Sequence, residues 1–197
     1  GRGRAGGGRG WERVGRGGGG PLQPGAAAGR GLGLDPGHGT PRWPDDAHID
    51  RVSLAHDEVT SRGVSAWVDS SRAEPMPCRT RIFLATFDAR LIALDGRTGT
   101  PCADFGVAGI VDLHVGVRGA DRLAHEYHVT SPPAIVDGLV ILGSSIFDNL
   151  HAQAQSGVVR ALDARTSWVR WAWQPLRGAP TSRDISTSPA SDLRPAT

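Results

Sequence analysis

One seven-residue motif occurs twice and limits the folds open to this chain more than any other feature. Ala93-Leu94-Asp95-Gly96-Arg97-Thr98-Gly99 is matched by Ala161-Leu162-Asp163-Ala164-Arg165-Thr166-Ser167. Each copy closes an apolar, strand-length run and opens a turn. The Asp can accept hydrogen bonds from the backbone amides of that turn, the Thr can do the same, and Gly or Ser closes it. Such a repeat means one supersecondary unit laid down twice. Its separation of 68 residues exceeds the roughly 40–50 of common propeller repeats, and the excess is assigned to an insertion at about Gly106–His128.

The flanking runs read as strands. Arg81–Thr86 and Arg90–Asp95 are separated by Phe87-Asp88-Ala89, a hairpin-length gap, and Ile110–Leu113 is a weaker third strand. Pro133–Val136 and Leu139–Gly143 flank the turn at Asp137-Gly138. Gly157–Asp163 and Val169–Trp173 flank the turn at Ala164–Ser167. No helical period persists over ten residues. The pattern predicts an all-β chain of short hairpins: consecutive four-stranded blades of a β-propeller, with Trp171 packed between neighbouring sheets.

Composition divides the chain. Of 28 glycines, 17 lie in the first 40 residues, where aliphatic periodicity is nearly absent. Such a segment buries too little apolar surface to offset the entropy of ordering. Residues 1–55 therefore read as a low-complexity, disordered Gly/Arg-rich segment that is either native or a non-native extension. Pro41–Thr60, which overlaps the end of that segment, reads as polar, proline-broken loop, and structure is expected to begin near Arg62. An RNA-binding Arg/Gly arm is the other reading of residues 1–40, but Trp11 is the only aromatic available for stacking. Arginine is the only basic residue besides histidine, and the net charge of +2 is too small to argue for nucleic acid. No run of 18 apolar residues is present, which predicts no membrane-spanning helix, and no signal-peptide core is visible. Two cysteines exclude a four-Cys zinc site. His114, His125, His128 and His151 show no zinc-ligand spacing and read as surface or insertion-loop residues.

Strand, ALDxxTG turn and blade-end Trp together resemble the repeat of the pyrroloquinoline-quinone (PQQ) dehydrogenases, which form eight-bladed propellers. Four stretches in order resemble the membrane-bound glucose dehydrogenase branch: Cys78–Gly106, Tyr127–Pro133 (YHVTSPP), Gly143–Asn149 (GSSIFDN) and Ser156–Pro175. Arg62-Gly63-Val64 followed by Trp67 is similar to the family's RGV-x-x-W segment. The resemblance covers about 61–175 and implies a fragment of about two blades, with 176–197 as an irregular tail. Both ends depart from the family pattern, as in a truncated or frame-shifted reading.

The resemblance also implies roles. Arg62 matches the arginine that reaches the carboxylate and carbonyl oxygens of PQQ, as a planar guanidinium can. Thr130 matches a threonine that bonds the cofactor, and Ser145 would line its plane. Asp148 and Asn149 match the metal position, where hard oxygen donors suit calcium or magnesium; read on their own, they are an Asx turn. In this family the metal and an arginine polarise a quinone carbonyl, a carboxylate base takes the hydroxyl proton, and hydride passes to the cofactor. The base would lie beyond Thr197, so no catalytic residue is assigned. The implied function is oxidation of a glucose-type sugar or an alcohol, with electrons passing to a membrane quinone, at the periplasm or the periplasmic face of the inner membrane.

There are departures. His56 and Asp57 stand where some relatives carry vicinal cysteines, and Ala66-Trp67 stands where the glucose branch often has Tyr-His. About two blades leave sheet edges exposed and cannot ring a cofactor, so the chain alone is expected to bind PQQ weakly or not at all. Cys78 and Cys102 flank the first hairpin, which allows either a disulfide, suited to a periplasmic enzyme, or two separate thiols. The competing class is a non-catalytic propeller scaffold for protein binding. It would keep ALDxxTG and Trp but has no need for GSSxxDN or RGV.

Overall fold

A computed structural model describes residues 30–34, 38, 40–49, 62–117, 127–146 and 156–174. Among them every regular element is a strand. In chain order these are β1 (Arg30–Leu34), β2 (Pro41–Asp46), β3 (Ser65–Val68), β4 (Thr80–Ala85), β5 (Arg90–Asp95), β6 (Ile110–Asp112), β7 (Tyr127–His128), β8 (Ala134–Val136), β9 (Leu139–Leu142), β10 (Ser145–Ile146), β11 (Val159–Asp163) and β12 (Val169–Trp173). Two four-stranded antiparallel sheets dominate, ordered β3-β4-β5-β6 and β8-β9-β11-β12. These are the two expected blades. Two small ribbons, β1-β2 and β7-β10, accompany them.

The packing explains why Arg81–Thr86 and Arg90–Asp95 read as unbroken apolar runs rather than alternating ones: strands covered on both faces need apolar residues at every position. Phe83, Ala85, Leu91 and Ala93 face the second blade and share a core with Val140, Leu142 and Leu162. Ile82, Leu84, Ile92 and Leu94 face the other way and share a core with Trp43, Ala47 and Val64. Each fully buried Phe or Leu contributes roughly 1.5–3 kcal/mol of transfer free energy. Phe83 and Phe105 add a tilted ring contact at 5.3 Å.

Several expectations are corrected. Pro41–Asp46 is a strand, not loop, and β1 and β2 are ordered elements inside the segment read as low complexity. Prolines argued against a strand, but β2 pairs on one side only, where a missing N–H costs nothing. Trp43, 7% exposed, anchors this ribbon on the first blade. The extra length of the repeat lies only in part within Gly106–His128. Gly106–Asp112 belongs to the first blade as a turn and β6. Between the two copies the long connections are the stretch from β6 to β8 and the passage from β9 to β11. Trp171 does not pack between sheets among the described residues. It is 43% exposed and pairs with Ala161, on the face of β12 turned away from the first blade. His128 is not a surface residue: it is 2% exposed and stacks on Phe87 at 3.9 Å.

Candidate functional site: the blade junction

Antiparallel order gives the blade pair two ends. β3 and β8, the inner edge strands, run side by side. Their starts, with the far ends of β4, β6, β9 and β12, form one end. The turns after β3, β5 and β11 form the other.

At the first end the structure brings together two residues singled out in the sequence, Arg62 and Thr130. The Arg62 amide donates to the Thr130 carbonyl at 3.1 Å, and the Arg62 guanidinium donates to the same oxygen at 3.4 Å. Ser65 Oγ donates to the Pro133 carbonyl. Both pairs are 68 residues apart, the spacing of the sequence repeat, so Arg62 and Thr130 hold equivalent places at the entries to successive inner strands. Ser145 is exposed and lies opposite His128 across the β7-β10 ribbon, two residues before Thr130. Arg62 is exposed, and Thr130 is half-buried. An exposed guanidinium thus sits where two blades meet, with Thr130 beside it and Ser145 on the neighbouring ribbon. That donor set suits a carboxylated, carbonyl-rich ligand. Asp148 and Asn149 lie outside the described residues.

Sequence reasoning missed the buried groups behind this end. His128 Nδ1 lies 3.0 Å from the Phe87 carbonyl. Arg160 is 7% exposed; burial pulls its pKa below the ordinary value, against the pull of Tyr127 and Asp112. A signal existed for Arg160, since alternation along β11 puts it on the same face as the buried Leu162.

The second end is a clamp. Arg81 is fully buried, and every guanidinium nitrogen is used. Nε donates to the Cys78 carbonyl (3.3 Å), Nη1 to the carbonyls of Ala164 (3.3 Å) and Arg165 (2.8 Å), and Nη2 to Asp104 (2.7 Å). Asp104 also accepts from Arg72. In return Arg165 reaches from the second blade to Asp69, with two bonds of 2.7 Å. The Gly106 amide donates to Ser167 Oγ at 3.0 Å. Arg165 holds the Asp69 carboxyl far below the usual carboxylate range against the opposing effect of burial, helped by Ser71. Burial lowers the Arg81 pKa while Asp104 opposes it.

Cys78 and Cys102 form a disulfide, so the first alternative holds. Their sulfurs cluster with an Asp104 oxygen, but bonded sulfurs leave no thiolate for a metal. No other such group of His, Cys, Asp and Glu is present among the described residues.

The repeat turns behave as expected. Asp95 Oδ1 accepts from the amides of Arg97 and Thr98 and from the Thr98 hydroxyl; Asp163 Oδ1 accepts from the amides of Arg165 and Thr166 and from the Thr166 hydroxyl.

Comparison with known proteins places this architecture. A solved quinohemoprotein alcohol dehydrogenase from Pseudomonas putida superimposes with a TM-score of 0.61 and 25% identity, over 82% of this chain and 20% of that one. A quinate/shikimate dehydrogenase (quinone) of Acinetobacter baylyi is 43% identical over 103 residues, 52% of this chain and 13% of that protein. A quinoprotein glucose dehydrogenase of Escherichia coli is 33% identical over 146 residues, 72% of this chain and 18% of that protein. The chain therefore spans less than a fifth of these curated relatives. A family model described as PQQ: glucose/ethanol/alcohol dehydrogenase, beta-propeller domain, matches residues 22–193. That span is wider than 61–175 and takes in the β1-β2 ribbon. By that match this chain belongs to the PQQ-dependent dehydrogenase β-propeller family.

Proposed function

We propose that this chain is the part of a PQQ-dependent dehydrogenase that supplies one side of the cofactor site, for oxidation of a sugar or alcohol at the periplasmic face of a membrane. The observation that carries the reading is the Arg62–Thr130 pair at the junction of two blades, in a chain of this family. Arg62 would hold a carboxylate and a carbonyl oxygen of PQQ through two parallel N–H bonds. The Thr130 and Ser145 hydroxyls would donate to the remaining oxygens. Asp148 and Asn149 would hold calcium or magnesium beside it. Bound PQQ would supply the hydride acceptor, and the electrons would pass on to a membrane quinone. The carboxylate base would come from a part of the ring that these residues do not include. Glucose-type sugars are the first substrate class to test, since the chain covers more of itself against the glucose dehydrogenase than against the quinate enzyme.

The test is a segment exchange. Residues 22–193 replace the matching segment of the Escherichia coli glucose dehydrogenase, and PQQ-dependent dye reduction by glucose is measured. The expected result is activity that needs PQQ and a divalent cation, and that requires far more PQQ when the segment carries Arg62→Ala. A folded hybrid with full activity in the Arg62→Ala form would overturn the assignment. The 197-residue chain by itself is expected to bind PQQ weakly or not at all; a tight, metal-dependent complex would overturn that statement.

A further inference from the structure

We propose that Asp104, held in place by the Cys78–Cys102 disulfide, is a positioning residue that seats the second blade on the first and so brings Arg62 against Thr130. The disulfide closes a separation of 24 residues within the first blade, yet the groups around it reach across the junction. Two residues beyond Cys102, Asp104 bonds the fully buried Arg81. Arg81 carries on to the carbonyls of Ala164 and Arg165 in the second repeat turn. Two residues further, the Gly106 amide donates to Ser167 of the same turn. The other half-cystine joins in, since the Cys78 carbonyl accepts from Arg81 and the Cys78 amide donates to Asp95.

The core between the blades does not make this redundant. Hydrophobic contact is non-directional, so Phe83, Leu91, Val140 and Leu162 ensure that the sheets meet without setting their tilt. Tilt is set by directional bonds. At the clamp end these are the bonds of Arg81, Arg165 and Gly106. At the other end they are the amide of Arg62 and the hydroxyl of Ser65. Two sheets rigidly linked at one end hold their alignment at the other. Closing the disulfide removes two electrons and two protons from two thiols, which a disulfide-type oxidant takes up as it becomes a dithiol. In the thiol form Asp104 would lose its fixed place, and the junction would loosen.

Any consequence for the cofactor rests on the function proposed above; the junction itself is tested without PQQ. Residue-resolved amide hydrogen exchange is followed on the 197-residue chain, oxidised and after treatment with a dithiol, and on Asp104→Asn and Asp104→Glu with the disulfide intact. The Arg62 and Gly106 amides report on the junction. Leu113, bonded to Ala89 at 2.8 Å within the first blade, and Asp163, bonded to Trp168 at 2.8 Å within the second, are the controls. Reduction and Asp104→Asn should each speed exchange at Arg62 and Gly106 by about fivefold. Leu113 and Asp163 should stay unchanged, and Asp104→Glu should restore most of the protection. An equal rise at all four amides would mean a general loss of stability and would overturn the proposal. So would an unchanged Arg62 amide in either the reduced chain or Asp104→Asn.

Discussion

The two ends of the blade pair are built from different chemistry. The clamp end joins the blades through the fully buried Arg81 and through Arg165, which holds Asp69, and it is braced within the first blade by Asp104, Arg72 and a disulfide. The Arg62–Thr130 end joins them through one amide, one hydroxyl and a guanidinium that stays exposed. Concentrating the ionic and covalent ties at one end leaves donors at the other end for a ligand. The contrast predicts that stability and ligand recognition separate along the length of the blades.

The largest expected effect comes from acid. Asp69, Asp95 and Asp163 all sit at the clamp end with pKa values below their ordinary value. For Asp69 the Arg165 guanidinium is the main cause. For Asp95 and Asp163 burial pushes upward but is outweighed, by the amides of Cys78, Arg97 and Thr98 at Asp95, and by Arg170 and the amides of Thr166 and Arg165 at Asp163. A folded-state pKa below the unfolded one gives stability that is complete above the unfolded value, here 3.8, and is lost as pH falls through the folded value. Urea midpoints should therefore hold steady from pH 7 to 5 and drop steeply below about pH 4. A flat midpoint down to pH 3 would remove the carboxylates from the clamp.

Next comes Arg81→Ala. It strands the carbonyls of Ala164 and Arg165, takes a carboxylate partner from Asp104 and opens a cavity in a fully buried place. A loss of about 3 kcal/mol in urea unfolding follows. A loss below about 1 kcal/mol would show that the junction core alone seats the blade.

The repeat turns allow a finer exchange. Gly99 and Ser167 are equivalent, and both have positive φ, +75° and +67°. A Cβ on Gly99 would lie 2.4–2.9 Å from the Trp43 ring, whereas Ser167 receives the Gly106 amide. Each turn docks on the unit before it, and the docking residue suits what it meets there. Gly99→Ser should cost about 2 kcal/mol by lifting the β1-β2 ribbon off the first blade. Ser167→Gly should change stability by less than about 1 kcal/mol, because the lost hydrogen bond is offset by relief of left-handed strain. Equal costs for the two would mean that Trp43 does not rest on Gly99 in solution.

Legibility in the sequence followed the range of the interactions. The repeat turns were readable because Asp95 and Thr98, or Asp163 and Thr166, bond within three residues. β4 and β5 were readable because burial on both faces makes them continuously apolar. β3 was missed because four residues, three half-buried and one exposed, carry too little pattern, and β2 because its prolines suggest loop when pairing on one side tolerates them. Of the site, Arg62 and Thr130 were found through a family resemblance, and the shared offset of 68 was already present in the repeat. The clamp could not be read: Arg165 meets Asp69 across 96 residues, Arg81 meets Ala164 across 83, and Asp104 meets Arg81 across 23. Nothing local in the sequence pairs those charges.

The smallest effect on stability is the sharpest test of the contrast. Arg62→Ala removes an exposed side chain with a single long hydrogen bond to a carbonyl that keeps its backbone partner. Substitutions of that kind stay within about 0.5 kcal/mol, so the urea midpoint should match that of the parent chain. In the segment-exchange hybrid the same substitution should raise the PQQ concentration needed for half-activity by tenfold or more, because a charge-assisted bidentate contact is worth roughly 1.5–3 kcal/mol. Arg81→Ala in the hybrid should do the opposite, lowering the unfolding midpoint and changing the PQQ requirement only as far as the blade tilts. If Arg62→Ala instead unfolded the chain as readily as Arg81→Ala, the exposed guanidinium would be a structural tie. The two ends would then differ in chemistry but not in task.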